Sequence, residues 1–190
     1  NKTTPKTSAP SLVEAVECLR SYVEAKTEVI CFSISASMST SGNVMRLAAE
    51  ELEAGDLVTV IDSANLSTGI GHLVIEAALM AQEGKDAQTI AQTIEELKPR
   101  VRASFVVDTL TYLYRGGRCS AVAAMAGGVL KLHPKIVVEN GAMDATKKYR
   151  GKLDNVILSY TKDMEEALKA AKPDRVFITH SGCDKATVGK

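Results

Sequence analysis

The stretch VICFSISASMSTSG, residues 29–42, decides the fold because an apolar strand runs through a hydroxyl-rich turn into a helix. Its first six residues are typical of a strand that is buried on both faces. Serine and threonine then dominate residues 33–41, and apolar residues at helical spacing follow from Ser41. Strands that alternate with helices in this way form parallel sheets, so the stretch predicts an α/β fold.

The same alternation continues on both sides of this stretch. Upstream, Ser11 and Glu14 form a capping-box signature at the start of an amphipathic helix. Downstream, the spacing predicts helix 41–53, strand 57–61, helix 68–82 and a helix between Asp86 and Pro99. This order favours a parallel sheet with helices on both faces, which we assign to a first domain, residues 1–101.

The pattern changes near residue 102, where a smaller domain of mixed α+β type is expected to begin and to continue to residue 190. Its central signal is Asn140-Gly141, the strongest short signal for a β-hairpin. The other expected elements are strand 103–107, a helix that ends at Gly116-Gly117, a small apolar segment at 121–125, helix 155–171 and strand 175–179.

The composition excludes several classes of protein. The chain has 23 basic and 23 acidic side chains and no tryptophan, which disfavours a general nucleic-acid binder. The longest charge-free window, residues 29–45, carries too many hydroxyls for a membrane span, and no leader pattern opens the chain. We therefore expect a cytoplasmic protein. Because the chain begins at Asn1 instead of Met, we also expect it to be part of a longer protein.

Neither metal nor cofactor chemistry has a convincing motif. No two of the four cysteines have the spacing of zinc ligands, so we expect reduced thiols packed as small hydrophobes. Gly69-Ile-Gly71 begins a dinucleotide-binding pattern, but Val74 stands where the third glycine belongs. The three histidines are isolated from one another. We expect no metal and no cofactor.

Two hydroxyl-rich turns are candidate binding sites. The turn at residues 35–42 opens a helix, where free backbone N–H groups and the helix dipole favour a carboxylate or phosphate. The plainer interpretation is a helix cap followed by a solvated loop. The turn at residues 7–11 is open to the same two interpretations, and strand order allows both turns to lie at one end of the sheet.

Arg115 and Arg118 bracket the glycine pair at the end of a predicted helix. Their guanidinium groups could complement the helix dipole or bind a phosphate through paired hydrogen bonds. Spacing alone favours the first interpretation.

Taken together, several segments resemble the DegV family of fatty-acid-binding proteins, which includes the fatty-acid-binding subunit of bacterial fatty acid kinase. FVVDTLTYLYRGGR at residues 105–118 is the most specific match, to F-V-V-D-T-L-x-Y-L-x-R-G-G-R. The other matches, in chain order, are TSAPS at 7–11, MSTS at 38–41, VIDS at 60–63, LHPKI at 132–136 and YRG at 149–151.

The resemblance implies a non-catalytic carrier that holds one long-chain fatty acid in a tunnel between two domains. Thr7 and Ser39 would bind its carboxylate, and Ser41 would assist. Some members present the acid to a separate kinase, which forms an acyl phosphate. By similarity, Arg115, Arg118 and Arg150 would lie near the head group or dock the kinase. A carrier of this kind is also compatible with transient membrane contact.

The chain departs from the family pattern in two kinds of place. Ala9 replaces a glutamine, and Thr40 replaces the glycine after the head-group serine, which could restrict approach of the backbone to a carboxylate. The family's opening D-S-S-A-D-L and closing T-H-T-G-P-G segments are absent, so we expect both domains to be incomplete.

The leading alternative to a fatty-acid carrier is a small-molecule phosphotransferase or hydrolase that binds phosphate with the Ser39 turn and Arg118. A third interpretation is a purely structural interaction module.

Overall fold

The computed structural model describes residues 4–123 and 132–189 of the chain. The chain folds into two compact units: residues 1–103 together with 138–142, and residues 104–137 together with 143–190. The expected boundary between two independent domains near residue 102 stays a prediction.

The first unit contains four α-helices and a parallel pair of strands in its described part. The helices are α1 (Leu12–Glu24), α2 (Ser41–Glu51), α3 (Thr68–Gln82) and α4 (Ala87–Leu97), and the strands are β1 (Val29–Ser33) and β2 (Val58–Asp62). The predicted capping box begins α1, since the Ser11 hydroxyl accepts from Glu14 N–H and the Glu14 carboxylate accepts from Ser11 N–H. Asp86 caps α4 through Thr89 N–H, as its position before the helix predicts.

The two strands have helices on both faces, which confirms the predicted architecture. Val29 pairs with Val58 and the register continues to Ser33 opposite Asp62. Alternate strand residues point to opposite faces. One face packs with α1 and α2 in a cluster of Ala15, Val16, Leu19, Ala48, Ala49, Ala54 and Val58. The other packs with α3 and α4 in a cluster of Ile61, Leu73, Ala77, Ile90 and Ile94.

The second unit is built on a three-stranded sheet of order β3-β4-β5. The strands are β3 (Ala103–Phe105), β4 (Leu132–Glu139) and β5 (Ala142–Arg150). The described helices are α5 (Thr111–Gly116), α6 (Ser120–Ala123), α7 (Leu153–Asp163), α8 (Glu165–Lys169) and α9 (Lys185–Val188). A two-residue turn joins β4 to β5, so these strands are antiparallel and the predicted hairpin is confirmed. Of the predicted apolar segment at residues 121–125, residues 121–123 lie in α6, and residues 124 and 125 fall outside the described residues.

The predicted strand at residues 175–179 is wrong. These residues are described and form no strand, and the Ile178 side chain is 83% exposed. Apolar and β-branched side chains raise strand propensity, but a strand also needs a neighbour to which its backbone can hydrogen-bond. The predicted helix 155–171 begins two residues earlier and is divided at Met164, between α7 and α8.

All four cysteines are free thiols. Cys119 is buried as expected, whereas Cys18 is exposed, because it lies on the solvent side of α1. Over residues 4–123 and 132–189, no helix is long and apolar enough to cross a membrane, and no cluster of His, Cys, Asp or Glu is arranged to hold a metal ion.

Gly69 and Gly71 lie two residues apart in α3 and should respond oppositely to alanine. A Cβ at Gly69 would clash with Oδ1 of the buried Asn65, whereas nothing lies within 4 Å of a Cβ at Gly71. We expect Gly71→Ala to raise the free energy of unfolding by up to about 1 kcal/mol through helix propensity. Gly69→Ala should lower it by roughly 1–3 kcal/mol, because the buried Asn65 side chain must move and its Oδ1 loses the hydrogen bond from Leu66 N–H. Urea denaturation measures both, and stabilisation by both variants would contradict this packing.

Candidate functional site

The candidate site begins where β1 ends. Ser33 closes the strand, residues 35–41 form a turn that we call the serine loop, and α2 begins at Ser41. Ser33 and Asp62 are paired across the sheet, so the segments that follow β1 and β2 leave it at the same edge. In open α/β sheets, ligands bind at the carboxyl ends of the strands.

Ser39 and Ser41 are brought together in this loop. Their hydroxyl oxygens lie 2.8 Å apart, and the Ser39 hydroxyl also accepts from Ser41 N–H at 3.2 Å. Both side chains are partly exposed. Two of the three predicted carboxylate-binding residues therefore form one hydrogen-bonded pair that solvent or a ligand can reach.

The helix-cap interpretation accounts for only part of this loop, because the Ser39 hydroxyl accepts from Ser41 N–H in the first turn of α2. An N-cap side chain normally accepts from the second or third N–H of its helix. At the N-cap position of α2, Thr40 makes no such bond. The hydroxyls at this helix start are instead engaged with each other and with Ser41 N–H, and the positive end of the α2 dipole keeps its attraction for an anion.

The backbone conformation of Thr40 explains why a threonine can stand where the family has a glycine. Its φ of −84° and ψ of 7° are accessible to any residue. The chain therefore turns here without the left-handed conformation for which glycine is selected. Thr40 is also exposed, so its side chain requires no rearrangement of the core.

Ser35 fixes the backbone of the serine loop. Its N–H donates to Asn65 O at 2.9 Å, and its carbonyl accepts from Met38 N–H at 2.9 Å and from Ser39 N–H at 3.2 Å. The Met38 side chain is 6% exposed, so the middle of the loop packs against the rest of the first unit. The backbone of Ser39 is thus placed by hydrogen bonds that begin at Ser35.

Asp62 ties together the loops that follow the two strands. Its carboxylate accepts from Ala64 N–H at 2.9 Å and more weakly from Ala36 N–H at 3.3 Å. The VIDS segment already indicated Asp62 as part of the family pattern, but its role in joining the two loops depends on a strand register that a linear motif does not contain.

Cys31 lies near this site, in β1, and burial raises the pKa of its thiol.

Thr7, the third predicted carboxylate ligand, is not part of this hydrogen-bonded group. It lies exposed in an irregular segment before α1. Among the described residues, no hydrogen bond joins Thr7 to Ser39 or Ser41. Its expected role in binding stays a prediction.

The three predicted arginines belong to the second unit and are all exposed. Arg115 lies in α5, Arg150 ends β5, and the Arg118 guanidinium donates to Gly116 O at the carboxyl end of α5. That bond agrees with the helix-dipole interpretation of Arg118. The roles of all three at a head group or in kinase docking stay predictions.

Comparison with known proteins identifies the family. The model of the DegV family, described as uncharacterised proteins, matches residues 1–189. The chain belongs to the DegV family. A DegV domain-containing protein of Deinococcus radiodurans is 36% identical over 150 residues, which are 79% of this chain and 53% of the relative. Another, from Caldanaerobacter subterraneus subsp. tengcongensis, is 33% identical over 84% of this chain and 57% of its own length.

Solved DegV-family structures share the fold. A stearic-acid-binding protein from Eubacterium ventriosum matches with a TM-score of 0.77 and 30% identity, over 89% of this chain and 60% of that protein. A fatty-acid-binding DegV protein from Thermus thermophilus matches with a TM-score of 0.75 and 29% identity, over 87% and 57% respectively. The chain thus spans little more than half the length of these DegV proteins.

The role of Asp62 in the two loops can be tested by Asp62→Ala. The substitution leaves the partly buried Ala64 N–H without its acceptor, which should cost roughly 1 kcal/mol of unfolding free energy. Amide exchange at Ala36 and Ala64 should also accelerate. Asp56→Ala removes the same charge from an exposed position of the same unit and serves as the control. Equal exchange rates in the two variants would show that Asp62 does not hold the loops.

Proposed function

We propose that this chain belongs to a protein that binds a long-chain fatty acid and holds its carboxylate at the serine loop. Ser39 and Ser41 supply hydroxyl donors, and Thr7 supplies another. The observation that carries the proposal is the accessible Ser39–Ser41 pair, 2.8 Å apart at the start of α2. It is supported by DegV relatives of similar fold that are described as binding fatty acids, stearic acid among them.

The hydroxyl pair is suited to an anion because it always retains one donor. Each serine hydroxyl has one hydrogen and two acceptor lone pairs. If Ser41 donates to Ser39, the hydrogen of Ser39 is free for a carboxylate oxygen. If Ser39 donates to Ser41, the hydrogen of Ser41 is free. The α2 dipole adds about 0.3–1 kcal/mol of attraction for the negative charge.

The head group and the acyl chain contribute differently to binding. Burial of each methylene is worth about 0.8 kcal/mol, so a chain of ordinary length provides a large gross affinity. The carboxylate needs donors to offset its desolvation and is the part that can distinguish an acid from a neutral lipid. The serine loop therefore orients the ligand. The tunnel between two domains that the family implies for the acyl chain stays a prediction.

The same proposal assigns no chemical step to this chain. It carries the acid, and a separate kinase would phosphorylate the carboxylate, with Arg115, Arg118 and Arg150 near the head group or at the kinase contact. A transient membrane contact would allow exchange of the acid with lipid. The alternative, a phosphotransferase or hydrolase, first requires a site for a phosphate. The serine loop meets that requirement, because the N-terminus of a helix attracts a phosphate as it attracts a carboxylate.

Ser39→Ala in the full-length protein tests the head-group assignment. Loss of a hydrogen bond to a charged group should weaken binding of palmitate by about tenfold or more, measured by titration calorimetry. Ser21→Ala, on the exposed side of α1, should leave the dissociation constant unchanged. An unchanged affinity in Ser39→Ala would remove Ser39 from the site.

A thermal-shift comparison separates the proposed function from its alternatives. Oleate should raise the melting temperature of the full-length protein, because a ligand that binds only the folded state stabilises it. ATP with magnesium should not. A shift with ATP alone would overturn the proposal in favour of a phosphotransferase, and no shift with either ligand would favour a structural interaction module.

A further inference from the structure

The serine loop is hydrogen-bonded to the turn of the β-hairpin. Ser35 Oγ donates to Gly141 O at 2.6 Å, and Ser37 Oγ donates to the same carbonyl. Gly141 lies within residues 138–142, which cluster with the first unit. A carbonyl oxygen has two lone pairs, so the two serines together fill its acceptor capacity. We call this three-residue contact the hairpin clasp.

The geometry of the clasp requires glycine at position 141. Asn140 and Gly141 have φ of 50° and 78°, the positive pair that defines the tight turn of a hairpin. A Cβ at Gly141 would lie 2.7 Å from Ser35 Oγ. A side chain at this position would therefore displace the Ser35 hydroxyl and break its bond to the Gly141 carbonyl.

The clasp is connected to the head-group pair through Ser35. The Ser35 side chain is held by the Gly141 carbonyl, and the Ser35 carbonyl accepts from Ser39 N–H at 3.2 Å. Ser39 Oγ then contacts Ser41 Oγ at 2.8 Å. Ser35 itself is 2% exposed and its hydroxyl hydrogen is used on Gly141, so it acts on a ligand only through Ser39.

We propose that the hairpin clasp positions the carboxylate-binding hydroxyls, which makes Ser35 and Gly141 positioning residues for fatty-acid recognition. This inference rests on the proposed function, since it concerns the same serine loop. Binding groups must be held within about 0.5 Å of their productive positions to be effective. Release of the clasp removes the side-chain anchor of Ser35 and leaves its backbone bond to Asn65 O, so the loop loosens and the Ser39 hydroxyl can move away from the carboxylate.

The experiment compares palmitate with methyl palmitate, which has the same acyl chain without the charge. In the full-length protein, Gly141→Ala should weaken palmitate binding by about tenfold and change methyl palmitate binding by less than about twofold. Gly84→Ala is a matched control, because Gly84 has a φ of 79° and nothing lies within 4 Å of its added Cβ. It introduces the same backbone strain without touching the clasp, and should leave both affinities unchanged.

Ser35→Ala provides a second variant that adds no volume, for use if Gly141→Ala fails to fold. It should show the same selective loss for the acid. In a Ser39→Ala background, Ser35→Ala should cause no further loss, because residues that act through one another are not additive. Hydrogen exchange at Met38 and Ser39 should also accelerate in Ser35→Ala and Gly141→Ala but not in Gly84→Ala.

The outcomes distinguish this inference from the proposed function. If the wild-type protein binds no palmitate, the proposed function fails. If it binds palmitate and Ser35→Ala binds equally well, only the clasp is overturned. Equal losses for palmitate and methyl palmitate would also overturn it, since they would show a general loosening of the lipid site instead of a misplaced head-group contact.

Discussion

The parallel pairing of β1 with β2 is the constraint on which the candidate site depends. Ser33 lies opposite Asp62, so the strands end at the same edge and their following loops leave the sheet together. Only then can Asp62 accept from Ala36 N–H and Asn65 O accept from Ser35 N–H. A register shift by one residue would turn the side chains of a strand to the opposite face and would break both apolar clusters. The packing of the core and the geometry of the serine loop are therefore set by the same alignment.

In the proposed function, the serine loop divides its hydroxyls between support and recognition. Ser35 and Ser37 are engaged with the carbonyl of Gly141, whereas Ser39 and Ser41 pair with each other and remain partly exposed. A loop without the first pair would leave the second without support, and a loop without the second would have no donors for a ligand. This division explains why the segment carries more hydroxyls than a helix cap requires.

Local patterns predicted the parts of this molecule that local interactions determine. The capping box at Ser11, the cap at Asp86 and the Asn140-Gly141 turn depend on neighbouring residues, and each forms as expected. The strand expected at residues 175–179 failed because its composition cannot provide a neighbouring strand. Gly69 fits part of a dinucleotide motif in the sequence, but the reason for a glycine there is its contact with Asn65, which needs the folded loop. The contact between Ser35 and Gly141 likewise joins residues far apart in the sequence, so no spacing rule could have revealed it.

The departure at Thr40 shows which features of the site are essential. Glycine is indispensable where φ is positive or where another atom occupies the place of Cβ, and Gly141 meets both conditions. Thr40 meets neither, because its φ is −84° and it is exposed. A change from the family's glycine at this position therefore leaves the backbone path of the serine loop intact. What a bulkier residue can affect is the space above the α2 N-terminus, where a carboxylate would approach. In the proposed function, the substitution would act on the closeness of that approach, while the Ser39 and Ser41 hydroxyls would be positioned from the other end of the loop, at Ser35.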